Sequence, residues 1–249
     1  MRTRFKAVLV ISAILALRST RAVDRSGPQV ARTPARRPEW TSEAAPPRYP
    51  GPRRTRPHGI IRLVKLAYAA FVCLLVPVYW REYGPENFLW FSDIALFVTL
   101  AALWARSALL ASMAAVGVLA LELLWTLDFL TGGRLVGLAG YMFEPDKPLY
   151  LRGLSLFHLL LPPLLLWLLH RLGYDRRALV AQTTLAWMVL PLTYLTTDPE
   201  QNINWVFGPG TDLPAPLSPS LYLGLLMVAL PTFVYLPSHW ALQKLFARP

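Results

Sequence analysis

The chain has 249 residues, of which 55% are hydrophobic and only 16% charged. Soluble domains carry roughly a quarter of charged residues, so composition excludes that class and points to a polytopic membrane protein. The net charge of +11 is unevenly placed: residues 1–58 hold 13 Lys+Arg against 3 Asp+Glu, and the remainder holds 12 against 11.

The N-terminal part reads as a basic tail, residues 1–58, ahead of a membrane domain, residues 59–249. Its first 17 residues, MRTRFKAVLVISAILAL, resemble the apolar stretch of a signal peptide, but arginines crowd the place where a cleavage site would fall. Residues 18–58 contain ten arginines and eight prolines with little apolar content, which predicts disorder. A basic segment suits an anionic membrane surface, and no nucleic-acid-binding motif accompanies it. We expect an uncleaved cytoplasmic tail; the alternative is that the working protein starts further in.

From Gly59 the pattern becomes long and apolar. Six transmembrane helices are expected at residues 60–80, 88–104, 108–130, 151–170, 179–195 and 221–240, an all-α membrane bundle. Lys and Arg in the intervening loops set the orientation. Eleven lie on one side, among them Arg106, Arg171, Arg176, Arg177 and Lys244. Four lie on the other: Arg81, Arg134, Lys147 and Arg152. This bias predicts a multi-pass inner-membrane protein with both termini cytoplasmic. Tryptophans and tyrosines near the span ends, such as Trp80, Tyr83 and Trp90, fit interfacial belts.

Ionisable groups inside spans are costly and mark candidate sites. Asp93 in the second span, Glu122 in the third and His158 in the fourth are expected roughly 8, 12 and 10 Å from the outer side. Three helices thus place polar groups at similar depth, which suggests one shared site, with these three as candidate catalytic residues. Asp128 is expected at the rim. Ser155, three residues before His158, shares its helical face. Pro162 deprives the His158 carbonyl of its helical donor, which requires a covered or wet setting for that turn. The outer loop at 196–210, TTDPEQNINWVFGPG, could cap the site and offers Asn202, Asn204 and Trp205 as substrate-binding groups. The segment 132–143 is expected to lie on the outer surface.

Three functions fit such a pocket. An intramembrane enzyme would use His158 as acid or base beside a carboxylate, acting on a lipid or acyl group, with Ser92, Ser155 or Thr99 as hydroxyl candidates. A proton- or ion-coupled carrier would use the same groups as a relay, though no inverted repeat is visible and no polar group is expected in the inner half to complete a path. A structural or assembly protein would use them to lock helices. Neither a cofactor motif nor a metal-ligand spacing is present: His170 and His239 fall near the other side, and the lone Cys73 can form neither an intrachain disulfide nor a thiolate metal site.

The strings YWREYGPENFLWFSDIALF, ELLWTLDF, YMFEP, LSLFHLLLPPLLLWLLHRLGYDRRAL and DPEQNINWVFGPG resemble a family of bacterial six-helix membrane-associated proteins with no assigned activity, across about residues 60–245. A fainter similarity is to the YwaF-like integral membrane proteins and to the androgen-induced FAR-17a-type intramembrane hydrolases. The latter resemblance implies acyl-ester chemistry by a helix histidine and a hydroxyl nucleophile. His158 matches the histidine in kind and Thr99 is the candidate for the hydroxyl, while the string NINW, residues 202–205, is similar to an Asn–aromatic pair of the YwaF-like proteins.

Overall fold

The computed structural model describes residues 58–209 and 217–246. The expected tail up to residue 57, with its signal-like segment, lies outside the described residues. These are helical, with no strand among them. In chain order the helices are α1 (His58–Tyr83), α2 (Phe91–Ala105), α3 (Ala108–Leu130), α4 (Leu149–Ser155), α5 (Phe157–Leu172), α6 (Ala178–Thr196), α7 (Pro219–Ala229) and α8 (Leu236–Phe246). A π-helical segment, Leu230–Tyr235, joins the last two.

Among the described residues, five helices are long and apolar enough to cross a membrane: Ile61–Tyr83, Ala108–Leu130, Leu149–Leu172, Ala178–Thr196 and Pro219–Phe246. This is the make-up of a multi-pass integral membrane protein. The second expected span is shorter than anticipated. The α2 helix has 15 residues, because Pro85–Leu89 forms a 3₁₀ turn instead of a first helical turn. Proline at its start favours that tight turn, and Trp90 adopts an extended backbone that separates it from α2.

The bundle is organised around α3, which packs against α2, α5, α6 and α8. Small residues make this possible. Ala111, Ser112, Ala114, Ala115 and Gly117 are all buried on it. Gly117 admits the Gln182 amide so closely that a Cβ there would lie 2.5 Å from its nitrogen. Such close approach is how helices associate where no hydrophobic drive separates them from lipid. Large apolar residues point outward instead: Leu63, Leu74, Leu160, Val180 and Phe233 are exposed. That inversion of the soluble pattern suits a surface facing acyl chains.

The connections are short and locally capped. Arg106 turns left-handed (φ 51°) to end α2, and the Ser107 hydroxyl accepts the Leu110 amide at 3.3 Å to start α3. At the same end of the bundle, Gly173 (φ 84°) ends α5 and Asp175 follows. The Arg177 side chain donates to Asp175 at 2.8 Å and holds its carboxyl below the usual carboxylate range.

Candidate functional site

The Glu122 carboxylate meets His158 Nδ1 at 2.7 Å, from α3 to α5. Both side chains are sheltered, 4% and 14% exposed. The imidazole lies nearly flat against two rings, Phe157 with centroids 4.1 Å apart and Trp125 at 4.6 Å. Trp125 follows Glu122 by three residues, so one face of α3 supplies both the acceptor and the stacking partner. A carboxylate only accepts, so the bond puts the ring proton on Nδ1 and leaves Nε2 of a neutral imidazole as the free base. Among the described residues Nε2 makes no hydrogen bond of its own.

The helix carrying His158 is interrupted at Leu156, where the chain closes a tighter turn: the Leu156 amide bonds Gly153 O at 3.3 Å and the Leu159 amide bonds Leu156 O at 3.0 Å. Pro162 and Pro163 lie within α5, and Pro162 cannot donate to the His158 carbonyl. The α4–α5 break at Leu156 falls six residues before Pro162. Ser155 lies at the end of α4, and its hydroxyl pairs with the Tyr79 hydroxyl of α1 at 3.0 Å.

Asp93 differs from expectation in how it becomes buried. With α2 starting at Phe91, Asp93 sits in its first turn, about 3 Å along the axis rather than 8 Å. It is nevertheless 3% exposed, because the 3₁₀ turn and the loop around Asn204 close over it. Asn87 of that turn donates to Asp93 Oδ2 at 3.3 Å. Asp93 Oδ1 is buried with no partner, and among the described residues no Lys, Arg or His forms an ion pair with it.

Asp93, Glu122, Ser155 and His158, from separate helical elements, line one cavity of about 340 Å³, within the range of small-molecule sites. Its walls are largely aromatic, with Tyr79, Tyr83, Trp90, Trp125, Tyr141 and Trp205. Ser92 also lines it. Thr99 does not: it is fully buried elsewhere on α2, six residues beyond Asp93 and about 120° away around the helix.

The segment 132–143 keeps Arg134, Leu135 and Phe143 exposed and has a second role. It folds over the cavity as a roof, contributing Gly137, Leu138 and Tyr141. Asp128 holds it there. One carboxylate oxygen accepts from the Leu135, Val136 and Gly137 amides at 2.8, 2.8 and 3.3 Å, and the other accepts from Ala139 at 2.7 Å. A ring of backbone donors around a carboxylate is a strong local organiser, and Asp128 is a rim residue with this structural task. Gly133 (φ 73°) packs so tightly on Gly140 that a Cβ would come within 2.6 Å of its Cα. Burial pushes the Tyr141 phenol up, so the ring stays a neutral donor.

Lys147 stands at the edge of the roof and lines the cavity. Its ammonium lies over Tyr141 at 4.6 Å and Tyr83 at 5.0 Å. Arg152 braces the turn that carries it by donating to the carbonyls of Glu144, Pro145 and Lys147.

The loop after α6 splits the three residues assigned to it. Trp205 lines the cavity and meets Trp90 edge-on at 5.8 Å. Asn204 also lines it, but both ends of its amide are engaged: Oδ1 accepts the Phe91 amide at 3.0 Å and Nδ2 donates to Leu89 O at 2.7 Å. It latches the loop to the start of α2. Asn202 does not line the cavity. Its amide closes the loop on itself, through Gly208 O and the Phe207 amide, both at 3.0 Å. Asn202 and Asn204 both take left-handed backbone (φ 40° and 54°), a conformation asparagine tolerates.

Sequence reasoning missed Tyr79, Asn87, Trp125, Tyr141 and Lys147. The spacing of Trp125 from Glu122 was available as a signal; Lys147 counted only as loop charge, and nothing local marks Tyr79. It also missed buried polar groups in the other half: Gln182, Ser112 and Tyr235 are buried, and the Tyr174 hydroxyl meets His239 Nδ1 at 2.6 Å. Uncharged polar residues are invisible to a search for charge. None of them lines the cavity. Among the described residues no three His, Cys, Asp or Glu side chains converge as a metal site would require.

No protein-family model, curated protein or solved structure matches the chain.

Proposed function

We propose that the protein is a six-span inner-membrane protein, with both termini cytoplasmic, whose outer-half pocket performs acid–base chemistry on a lipid or acyl substrate. The observation that carries this reading is the Glu122–His158 bond at 2.7 Å inside an aromatic cavity. A buried histidine oriented by a carboxylate is the arrangement a general base needs.

The span count rests on the cavity too. Tyr79 near the end of α1 and Glu122 in the latter half of α3 both line it, so those helices run the same way. The α2 helix begins at the cavity with Ser92 and Asp93 and must return across the bundle between them. Its 15 residues make roughly 22 Å of helix, enough for a span set among neighbours and supplemented by the 3₁₀ turn.

In the reaction, His158 Nε2 takes the proton of an attacking water or alcohol. The oxygen bonds the acyl carbon, and Glu122 steadies the imidazolium through Nδ1–H. The bond to the leaving alcohol then breaks, and the proton passes from Nε2 to that oxygen. The Tyr79–Ser155 hydroxyl pair uses one proton for the bond between them and has the other to donate to the acyl oxygen as negative charge develops there.

Lipid profiles of cells carrying His158→Ala test this reading. The variant is expected to match a deletion strain. A His158→Ala profile identical to wild type, where the deletion differs, overturns it.

A further inference from the structure

We propose that the cavity binds a primary-ammonium phosphate headgroup, that of an ethanolamine phospholipid, with the ammonium on Asp93 and the phosphate on Lys147. The choice of a lipid as source rests on the reading above; the headgroup chemistry does not.

Asp93 Oδ1 is the starting point. It is buried and has no donor, and Asp93 is one of the residues lining the cavity. Asn87 satisfies only the other oxygen. Glu122, by contrast, already holds His158, so Asp93 is the carboxylate left for a ligand. A buried acceptor of this kind calls for a cation that also donates hydrogen bonds. A primary ammonium does both. A trimethylammonium supplies the charge but no donor, and a glycerol headgroup supplies a donor but no charge. Tyr79, Trp90 and Trp205, which line the same cavity, add ring faces that favour a cation.

The opposite charge is also present. Lys147 lines the cavity half-buried, held over two rings, and without a carboxylate partner among the described residues. A cation seated on ring faces retains its N–H donors for an anion. One cavity is therefore lined by a carboxyl with an oxygen that lacks a donor and by an unpaired ammonium, the complement of a zwitterion once the Asp93 side chain turns toward the ligand. A volume of about 340 Å³ suits a headgroup with its glycerol, while the acyl chains stay in the bilayer.

Three tryptophans line the cavity, so binding is read from their fluorescence. The full chain in maltoside detergent is titrated with dioleoyl phosphatidylethanolamine, phosphatidylcholine and phosphatidylglycerol. Phosphatidylethanolamine is expected to bind roughly tenfold or more tightly than the other two, and Asp93→Asn to erase that preference. Lys147→Gln should weaken all three lipids together. Equal binding of the three, phosphatidylcholine bound as tightly as phosphatidylethanolamine, or a preference unchanged in Asp93→Asn overturns the proposal. The wild-type comparison alone decides it should the variant fail to fold. Free phosphoethanolamine binding with the same Asp93 dependence supports the same chemistry from a soluble source. His158→Ala separates the two readings. If its cells have wild-type lipids but the purified protein keeps the preference, the acid–base function fails and the headgroup site stands; the reverse pattern sinks the headgroup site alone.

Discussion

Glu122 and His158 are 36 positions apart, on different helices, and meet at 2.7 Å with both side chains sheltered. The pair holds α3 against α5 and orients a base toward the cavity. A double-mutant cycle separates the two effects. Glu122→Gln and His158→Ala should couple by about 1–2 kcal/mol in reversible unfolding, since bonds between buried polar groups in membrane proteins reach about that size. Activity should respond more strongly, falling about 100-fold or more for either variant once a substrate is in hand. Additive stability effects with full activity would make the pair mere packing.

Asp128 offers a contrast, because its carboxylate is fully engaged by the roof. Replacing it with alanine strands four amides and should cost about 2–4 kcal/mol. Hydrogen exchange gives the sharper readout. The Leu135, Val136, Gly137 and Ala139 amides should lose protection in Asp128→Ala, while those of α3 keep theirs. Unchanged protection would mean that the roof is held by packing alone.

Two glycines in that roof should respond differently. Both have positive φ, 73° at Gly133 and 83° at Gly137. A Cβ at Gly137 meets nothing within 4 Å, whereas one at Gly133 meets Gly140 backbone at 2.6 Å. Gly137→Ala should therefore cost only the left-handed conformation, about 1–2 kcal/mol. Gly133→Ala should cost more and displace the roof, seen as a lower unfolding midpoint and raised exchange at Ala139. Equal effects would contradict the close packing.

Asn204→Ala removes both bonds that latch the loop after α6 to the start of α2, and should destabilise by about 1–3 kcal/mol. It should also shift the emission of Trp90 and Trp205 to the red as the cavity opens beside Asp93. Asn202→Ala, which breaks only bonds within the loop, should leave that emission nearer to wild type. A red shift of the same size in both would argue against Asn204 as the latch.

Much of this was legible in the chain. Long apolar runs reveal a helical membrane protein, because lipid leaves backbone no other satisfied form than helix or closed barrel. Ionisable residues inside such runs stand out, as Asp93, Glu122 and His158 do, with Ser155 on the helical face of the histidine, and all four line one cavity. Their convergence, however, has a different origin at Asp93. Helix depth does not bury it; a 3₁₀ turn and a distant asparagine do. A 3₁₀ turn differs from a helical one by a single hydrogen-bond register, and neither spacing nor hydropathy records it.

The apolar pattern by itself determined which stretches are helices and which carry polar groups, since both follow from local composition and period. Only the tertiary structure decided what each polar group does. Asp128 and Asp93 are both acids near the end of a helix. One is encircled by four amides from a loop seven to eleven residues on, and the other keeps an oxygen without a donor. Whether a carboxylate organises the fold or waits for a ligand depends on which donors the folded chain brings within 3 Å of it, and those donors are backbone groups that every residue carries alike.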